Sequence, residues 1–144
     1  MHVLRFAVAD SVYAVAIGRV VEIAPRVSIA PLPGAPSFVE GVFSYRHAAC
    51  VTISLRRRFG HPARRPALDE HIVVVRGRQR LLGLIVDRAL GDDVLPDEAI
   101  EPSDASALVP GVVPREDGII LIHDVDALLT DAEENAVDES LNAG

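Results

Sequence analysis

Apolar and polar positions alternate through most of the chain, and the alternation keeps breaking at short polar or Gly/Pro-rich stretches. "HVLRFAVADSVYAVAIG" places Leu4, Phe6 and Val8 on one face of a strand, breaks at Asp10-Ser11, and resumes with Tyr13, Val15 and Ile17. Period two on both sides of a polar break predicts a hairpin. "RVVEIAPRVSIAPLPGAP" reads as a helical turn or short strand ended by Pro25, then an extended Val27 to Ala30, then a Pro-rich loop that excludes a long helix. "SFVEGVF" predicts a helical turn starting at Ser37, with Glu40 in the capping-box position and Gly41 ending it. Strands follow at Val42 to Tyr45 and Cys50 to Ile53 around a turn at Arg46 to Ala49, and "LRRRFG" forms one helical turn ending at Gly60.

In the second half, "HIVVVR" and "LLGLIVD" flank Gly77-Arg78-Gln79-Arg80 as a hairpin. "DDVLPDEAIEPSDASALVPG" reads as an acidic loop with at most a short strand at Val94-Leu95, and "GVVPREDGIILIHD" as a last hairpin. "DVDALLTDAEE" is the one good helix, N-capped by Asp124, before an acidic tail over 131–144 expected to fray. About nine short strands separated by frequent turns predict an all-β fold. The Pro- and charge-rich connector at 61–70 divides the strands into two groups, and two small barrels packed together fit better than one.

Composition narrows this picture. The chain has 144 residues, 49% of them hydrophobic, with four Phe, two Tyr and no Trp, so its core is built from Val, Ile, Leu and Ala. A strand-like run from Val3 leaves no room for a secretory leader, and no apolar run approaches the roughly 18 residues of a spanning helix. With Cys50 as the single cysteine, an internal disulfide is impossible. These features predict a soluble cytoplasmic protein without direct membrane insertion.

Charge is unevenly spread. Residues 1–80 carry 12 Arg against 5 acids, and residues 81–144 carry 2 Arg against 16 acids, giving the net charge of −7. Such a division fits two surfaces of opposite sign that bind charged partners or associate head to tail, and equally a composition bias with an acidic tail.

Chemistry finds little support. His123-Asp124 with Asp126 suggests a metal-dependent phosphohydrolase, but such a site needs further His and Asp ligands from helices, and a histidine at a strand end before a capping Asp explains the pair. There is no G-x-S-x-G elbow, no cysteine-centred signature, no Walker loop and no G-x-G-x-x-G, so neither catalysis nor a cofactor is expected. Cys50 reads as a small buried hydrophobe. Arg56, Arg57, Arg58, Arg64 and Arg65 form a basic cluster compatible with an RNA-binding small barrel. Against it stand few stacking aromatics (Phe43, Tyr45 and Phe59) and the acidic second half, so nucleic acid is not the expected partner.

Taken whole, the chain resembles the CheW family of chemosensory coupling proteins. "FAVADSVYAVAIGRVVEI" resembles the family's first two strands and its Val-x-Glu-Ile segment. "APSFVEGVFSYRHAACVTISLRRRFG" is similar to its central signature, in which Pro, Phe and Gly precede a strand ending in Asn-Leu-Arg-Gly, followed by Val-Pro-x-x-Asp-Leu-Arg. "LLGLIVDRALGDDV" and "GIILIHDVDALL" match the remaining strands and closing helix. The resemblance implies one domain over 1–130, made of two intertwined SH3-like five-stranded β-barrel subdomains with short helical turns and a C-terminal helix. It also implies a non-catalytic adaptor between a chemoreceptor signalling tip and the regulatory domain of a CheA-type histidine kinase, recruited to membrane-associated arrays. On matching positions the receptor-facing groove includes Val20, Glu22, Gly41 and Arg46. Arg56, Arg57 and Arg58 match a stretch commonly basic or polar in the family, read as a solvated helical turn on the kinase side. Three positions depart from the pattern: His47 stands for Gly, Val51 for Pro and Ser54 for Asp. They imply a second reading, a divergent member that binds only one of the usual partners.

Overall fold

In the computed structural model, which describes every residue except Pro66, Leu68, Ala105 and Gly144, eleven strands form two sheets. The strands are β1 (His2–Val8), β2 (Ser11–Ala16), β3 (Val20–Pro25), β4 (Val39–Tyr45), β5 (Ala48–Ser54), β6 (His71–Arg76), β7 (Leu81–Val86), β8 (Arg88–Val94), β9 (Glu101–Pro102), β10 (Gly111–Arg115) and β11 (Gly118–Ile122). One sheet runs β8-β1-β2-β11-β10-β9, the other β3-β6-β7-β5-β4. Each is antiparallel apart from one parallel pair, β2 with β11 and β5 with β7. The all-β expectation with two subdomains holds, with sheets of six and five strands.

The chain starts in the six-stranded sheet, crosses at the 3-10 turn Ile17–Arg19, builds the whole five-stranded sheet, and returns at Asp87. The connector at 61–70 therefore does not separate the two strand groups as expected. It joins α1 (Leu55–Arg58) to β6 within the five-stranded sheet, and its Pro66 and Leu68 lie outside the described residues.

Strand alternation explains the core. Leu4, Phe6 and Val8 of β1 and Val73 and Val75 of β6 enter one central cluster shared by both sheets. The intervening Val3 joins a smaller cluster with Leu95 and Ile120, and Ile72 and Val74 join another with Cys50 and Ile85. Strands buried on both faces read as near-continuous apolar runs, which is why "HIVVVR" lacks polar alternation. Each fully buried Leu, Ile or Phe side chain contributes about 1.5–3 kcal/mol relative to exposure.

Three local expectations need correction. Glu40 and Gly41 lie inside strand β4, so the capping-box reading of "SFVEGVF" fails; pairing with β5 and an isolated bridge from Ala30 to Val42 hold the segment extended. The acidic stretch from Asp92 reads as loop with at most a short strand at Val94-Leu95, but Asp92, Asp93 and Val94 complete the strand Arg88–Val94, paired to β1 with a bulge at Arg5/Phe6. The long helix begins seven residues after Asp124, at Asp131. Asp124 caps only the 3-10 turn Val125–Ala127, and residues expected to fray form α2 (Asp131–Ala143). Thr130 and Glu133 make the reciprocal capping box, with N–H···O distances of 2.8 and 3.2 Å. Val137 and Glu134 of α2 are buried, and Gly34 lets the helix approach so closely that an added Cβ would meet Ser140 Oγ at 3.1 Å.

Candidate partner-binding face

The β4–β5 hairpin carries the sequence-predicted site. Its two-residue turn places Arg46 and His47 at φ 48° and 68°, the left-handed pair that a tight hairpin demands. His47 holds this conformation without the freedom of the glycine that the family pattern has there. The turn projects Arg46, whose side chain is 72% exposed, toward Glu22 on β3 at 2.8 Å. Tyr45 donates its hydroxyl hydrogen to the same Glu22 oxygen at 2.7 Å, and the Arg46 guanidinium lies 5.1 Å from the Tyr45 ring centroid. The structure thus brings Glu22 and Arg46 together and adds Tyr45, which sequence reasoning missed. Its signal was the i, i+2 aromatic pair of Phe43 and Tyr45 on one strand face.

The other two predicted residues sit differently. Val20 packs against the central core rather than beside Glu22, because a bulge between Val20 and Glu22 shifts the alternation. Gly41 is enclosed: a Cβ there would lie 2.1 Å from the Ala30 carbonyl oxygen and 2.7 Å from Ile29 Cγ2, and the Gly41 carbonyl accepts from buried Thr52 Oγ1 at 2.9 Å. Its role in this structure is to let residues 29–30 lie on β4. Between those two segments runs an open groove of about 560 Å³, lined by Ile29, Ala30, Val42, Phe43 and Ala48 with His47 at its end. The groove and the Glu22–Tyr45–Arg46 cluster share the hairpin, with His47 in the groove lining and Arg46, the residue before it, in the ion pair.

The triple arginine is not a solvated turn. Ser54 caps α1 by accepting from the Arg57 N–H at 3.4 Å, taking the place of the family's Asp. Arg56 makes a two-bond fork to Asp87 at 3.0 and 2.7 Å. Arg57 donates to the Ser37 carbonyl, and Arg58 donates to the Leu128 carbonyl at 2.9 Å with its guanidinium over Phe38. The three side chains staple a one-turn helix to three separate segments. Burial works against ionisation of Asp87, but the Arg56 hydrogen bond and the Ala9 N–H hold its carboxyl below the ordinary carboxylate range. Val51, where the family has Pro, lies in a strand paired on both sides.

The residues considered for chemistry are enclosed. Cys50 is fully buried, and burial pushes its thiol up to about 12. The His123 ring is stacked on Phe59 at 4.3 Å and set edge-on to Tyr13 at 4.6 Å. Among the described residues, no group of three or more His, Cys, Asp or Glu is placed to hold a metal ion, and no helix is long and apolar enough to cross a membrane.

Two small β-subdomains that share one core, with no metal-binding cluster among the described residues, define the class of fold. The chain belongs to the CheW-like domain family, whose model matches residues 2–133. It is 28% identical over 134 residues to the chemotaxis protein CheW of Helicobacter pylori, covering 90% of this chain and 81% of that one. With the chemotaxis protein CheW of Rhizobium meliloti it shares 28% identity over 141 residues, covering 94% and 91%. The crystal structure of the scaffolding protein TtCheW from Thermoanaerobacter tengcongensis superposes with a TM-score of 0.84 at 28% identity, covering 92% of this chain and 94% of that one.

Proposed function

We propose that this protein is a non-catalytic adaptor of a chemosensory system, with residues 1–130 as its domain. One surface grips a chemoreceptor signalling tip, and another binds the regulatory domain of a CheA-type histidine kinase. The observation that carries this reading is the family match across nearly the whole chain, joined to an exposed ion pair beside an apolar groove. Glu22 and Arg46 form the receptor contact, Gly41 shapes the strand beneath it, and Val20 supports it from the core side. All three arginines of α1 are tied to neighbouring segments, and Arg57, bonded to the Ser37 carbonyl but with 43% of its side chain exposed, is the one we assign to the kinase side. The protein acts in the cytoplasm at membrane-associated receptor arrays.

A second reading rests on His47. Its side chain lines the groove where the family pattern has Gly, so a divergent member that binds the kinase alone is the alternative.

Calorimetric titration with a receptor signalling-tip fragment and, separately, with the kinase regulatory domain tests both. Arg46→Glu leaves the fold intact, since an exposed pair is worth about 0–1 kcal/mol, and weakens receptor binding about tenfold or more, equivalent to about 1.4 kcal/mol. Kinase binding without receptor binding in the wild type selects the second reading. Binding to neither cognate partner contradicts the adaptor reading.

A further inference from the structure

A second concavity, of about 340 Å³, is lined by residues of β4, α1 and the connector before β6, and shares no lining residue with the groove beside Arg46. Four arginines line it, Arg26, Arg56, Arg57 and Arg64, against three carboxylates, Glu40, Glu70 and Asp87. Guanidinium groups stay charged at any physiological pH. The lining therefore carries at least one uncompensated positive charge. Glu70, with its side chain only 6% exposed, is the most enclosed of the three carboxylates; burial pushes its carboxyl above the ordinary range, although Arg26 and Arg64 oppose this.

The four arginines are not equivalent. Arg56 is saturated by its fork to Asp87, and Arg26 bridges Glu40 and Glu70. Arg57 approaches Glu40 only to 3.8 Å, and Arg64 approaches Glu70 only to 3.9 Å. Charge-assisted N–H···O bonds form at about 2.7–2.9 Å, so neither of these pairs is bonded. Arg64 lies 3.2 Å from Asp87, whose two oxygens already accept from Arg56. Both side chains are partly exposed, 43% and 38%, at the rim of one polar concavity. Arg57 gives one N–H to the Ser37 carbonyl and Arg64 faces Asp87 as an ion pair, which leaves each planar fork with further N–H groups that suit a tetrahedral oxyanion.

We infer that this pocket binds a small oxyanion of the phosphate class, held between Arg57 and Arg64. The source is free inorganic phosphate or the phosphoryl end of a small phosphate monoester. The three carboxylates oppose a dianion, so the site is a weak one, filled in the millimolar range, where 1 mM corresponds to about −4.1 kcal/mol. The inference does not need the adaptor reading, although Arg57 is common to both.

Phosphorus NMR line broadening and calorimetry on the full chain test it, with inorganic phosphate and glycerol 3-phosphate titrated separately at constant ionic strength. Saturable binding that weakens about tenfold or more in Arg57→Gln/Arg64→Gln is the expected result. Equal affinity for both probes assigns the site to a phosphoryl group, and binding of inorganic phosphate alone assigns it to the free ion. Sulfate and phosphate also stabilise proteins by exclusion from their surface, an effect the variant retains, so only the difference between wild type and variant counts. Arg64→Gln alone serves if the double variant does not fold, because no other element depends on that side chain for a hydrogen bond among the described residues. No saturable binding up to tens of millimolar, or equal binding by wild type and variant, overturns the inference.

Discussion

Gly41 and His123 show how single residues were half legible. The family resemblance placed Gly41 in the binding groove, whereas the structure places the Ala30 carbonyl where its Cβ would be. A carbonyl oxygen from residues earlier in the chain is invisible to local pattern. Gly41→Ala should destabilise the protein by about 2 kcal/mol or more, read as a lowered urea midpoint with unchanged m-value. Such a loss of stability would accompany any loss of binding. For His123, burial and the nearby Arg58 lower the ring to about 4, from the ordinary value of 6.5. The unfolded chain takes up a proton as pH falls below 6.5 and the folded chain does not until about 4, so stability is lost across that window. The loss amounts to about 3 kcal/mol. His123→Phe keeps the stack with Phe59 and removes two ring nitrogens that lack hydrogen-bond partners among the described residues. Urea unfolding of both proteins from pH 7 to 4 should show the variant gaining relative to the wild type as pH falls. Parallel pH profiles would show that the ring titrates normally.

At the scale of elements, strands with apolar alternation were readable and those without it were not. "HIVVVR" and "LLGLIV" declared themselves; β8, "RALGDDV", did not, because an outer strand with polar residues exposed carries no periodic signal. Its pairing depends on β1, some 85 positions away, with Arg5 opposite Gly91 at the bulge. Helix α2 was missed for a related reason. Five acids and no base in 131–144 resemble a disordered tail, yet their partners lie on the β6–β7 turn: Arg78 meets Asp131 at 2.8 Å, and Arg80 meets Glu134 at 2.9 Å and also Asp138. Glu134 and Arg80 are both largely buried, so removing one leaves the other uncompensated. Arg80→Met alone should cost about 3–5 kcal/mol, and Arg80→Met/Glu134→Gln should recover most of it. Equal losses in single and double variants, measured by chemical unfolding, would show that the pair does not anchor the helix.

Across the whole molecule, the charge division of the sequence is largely resolved within the chain. Arg5, Arg19, Arg56, Arg78 and Arg80 from the basic part pair with Asp93, Asp126, Asp87, Asp131 and Glu134 from the acidic part. Opposite charges were placed far apart in sequence because the chain leaves one sheet, completes the other, and returns. Arg46 belongs to a different set. It pairs with Glu22 in its own sheet, at the surface, beside the groove. Adaptor function, as proposed, requires that two partners be held at once on separate faces of the chain. Its most direct test is co-sedimentation of the kinase with vesicles that display receptor signalling tips, with this protein present, absent, or carrying Arg46→Glu. The kinase is expected to pellet with the vesicles when the wild-type protein is present and to stay in the supernatant without it or with the variant. Kinase recovered equally in all three samples would rule out the adaptor role.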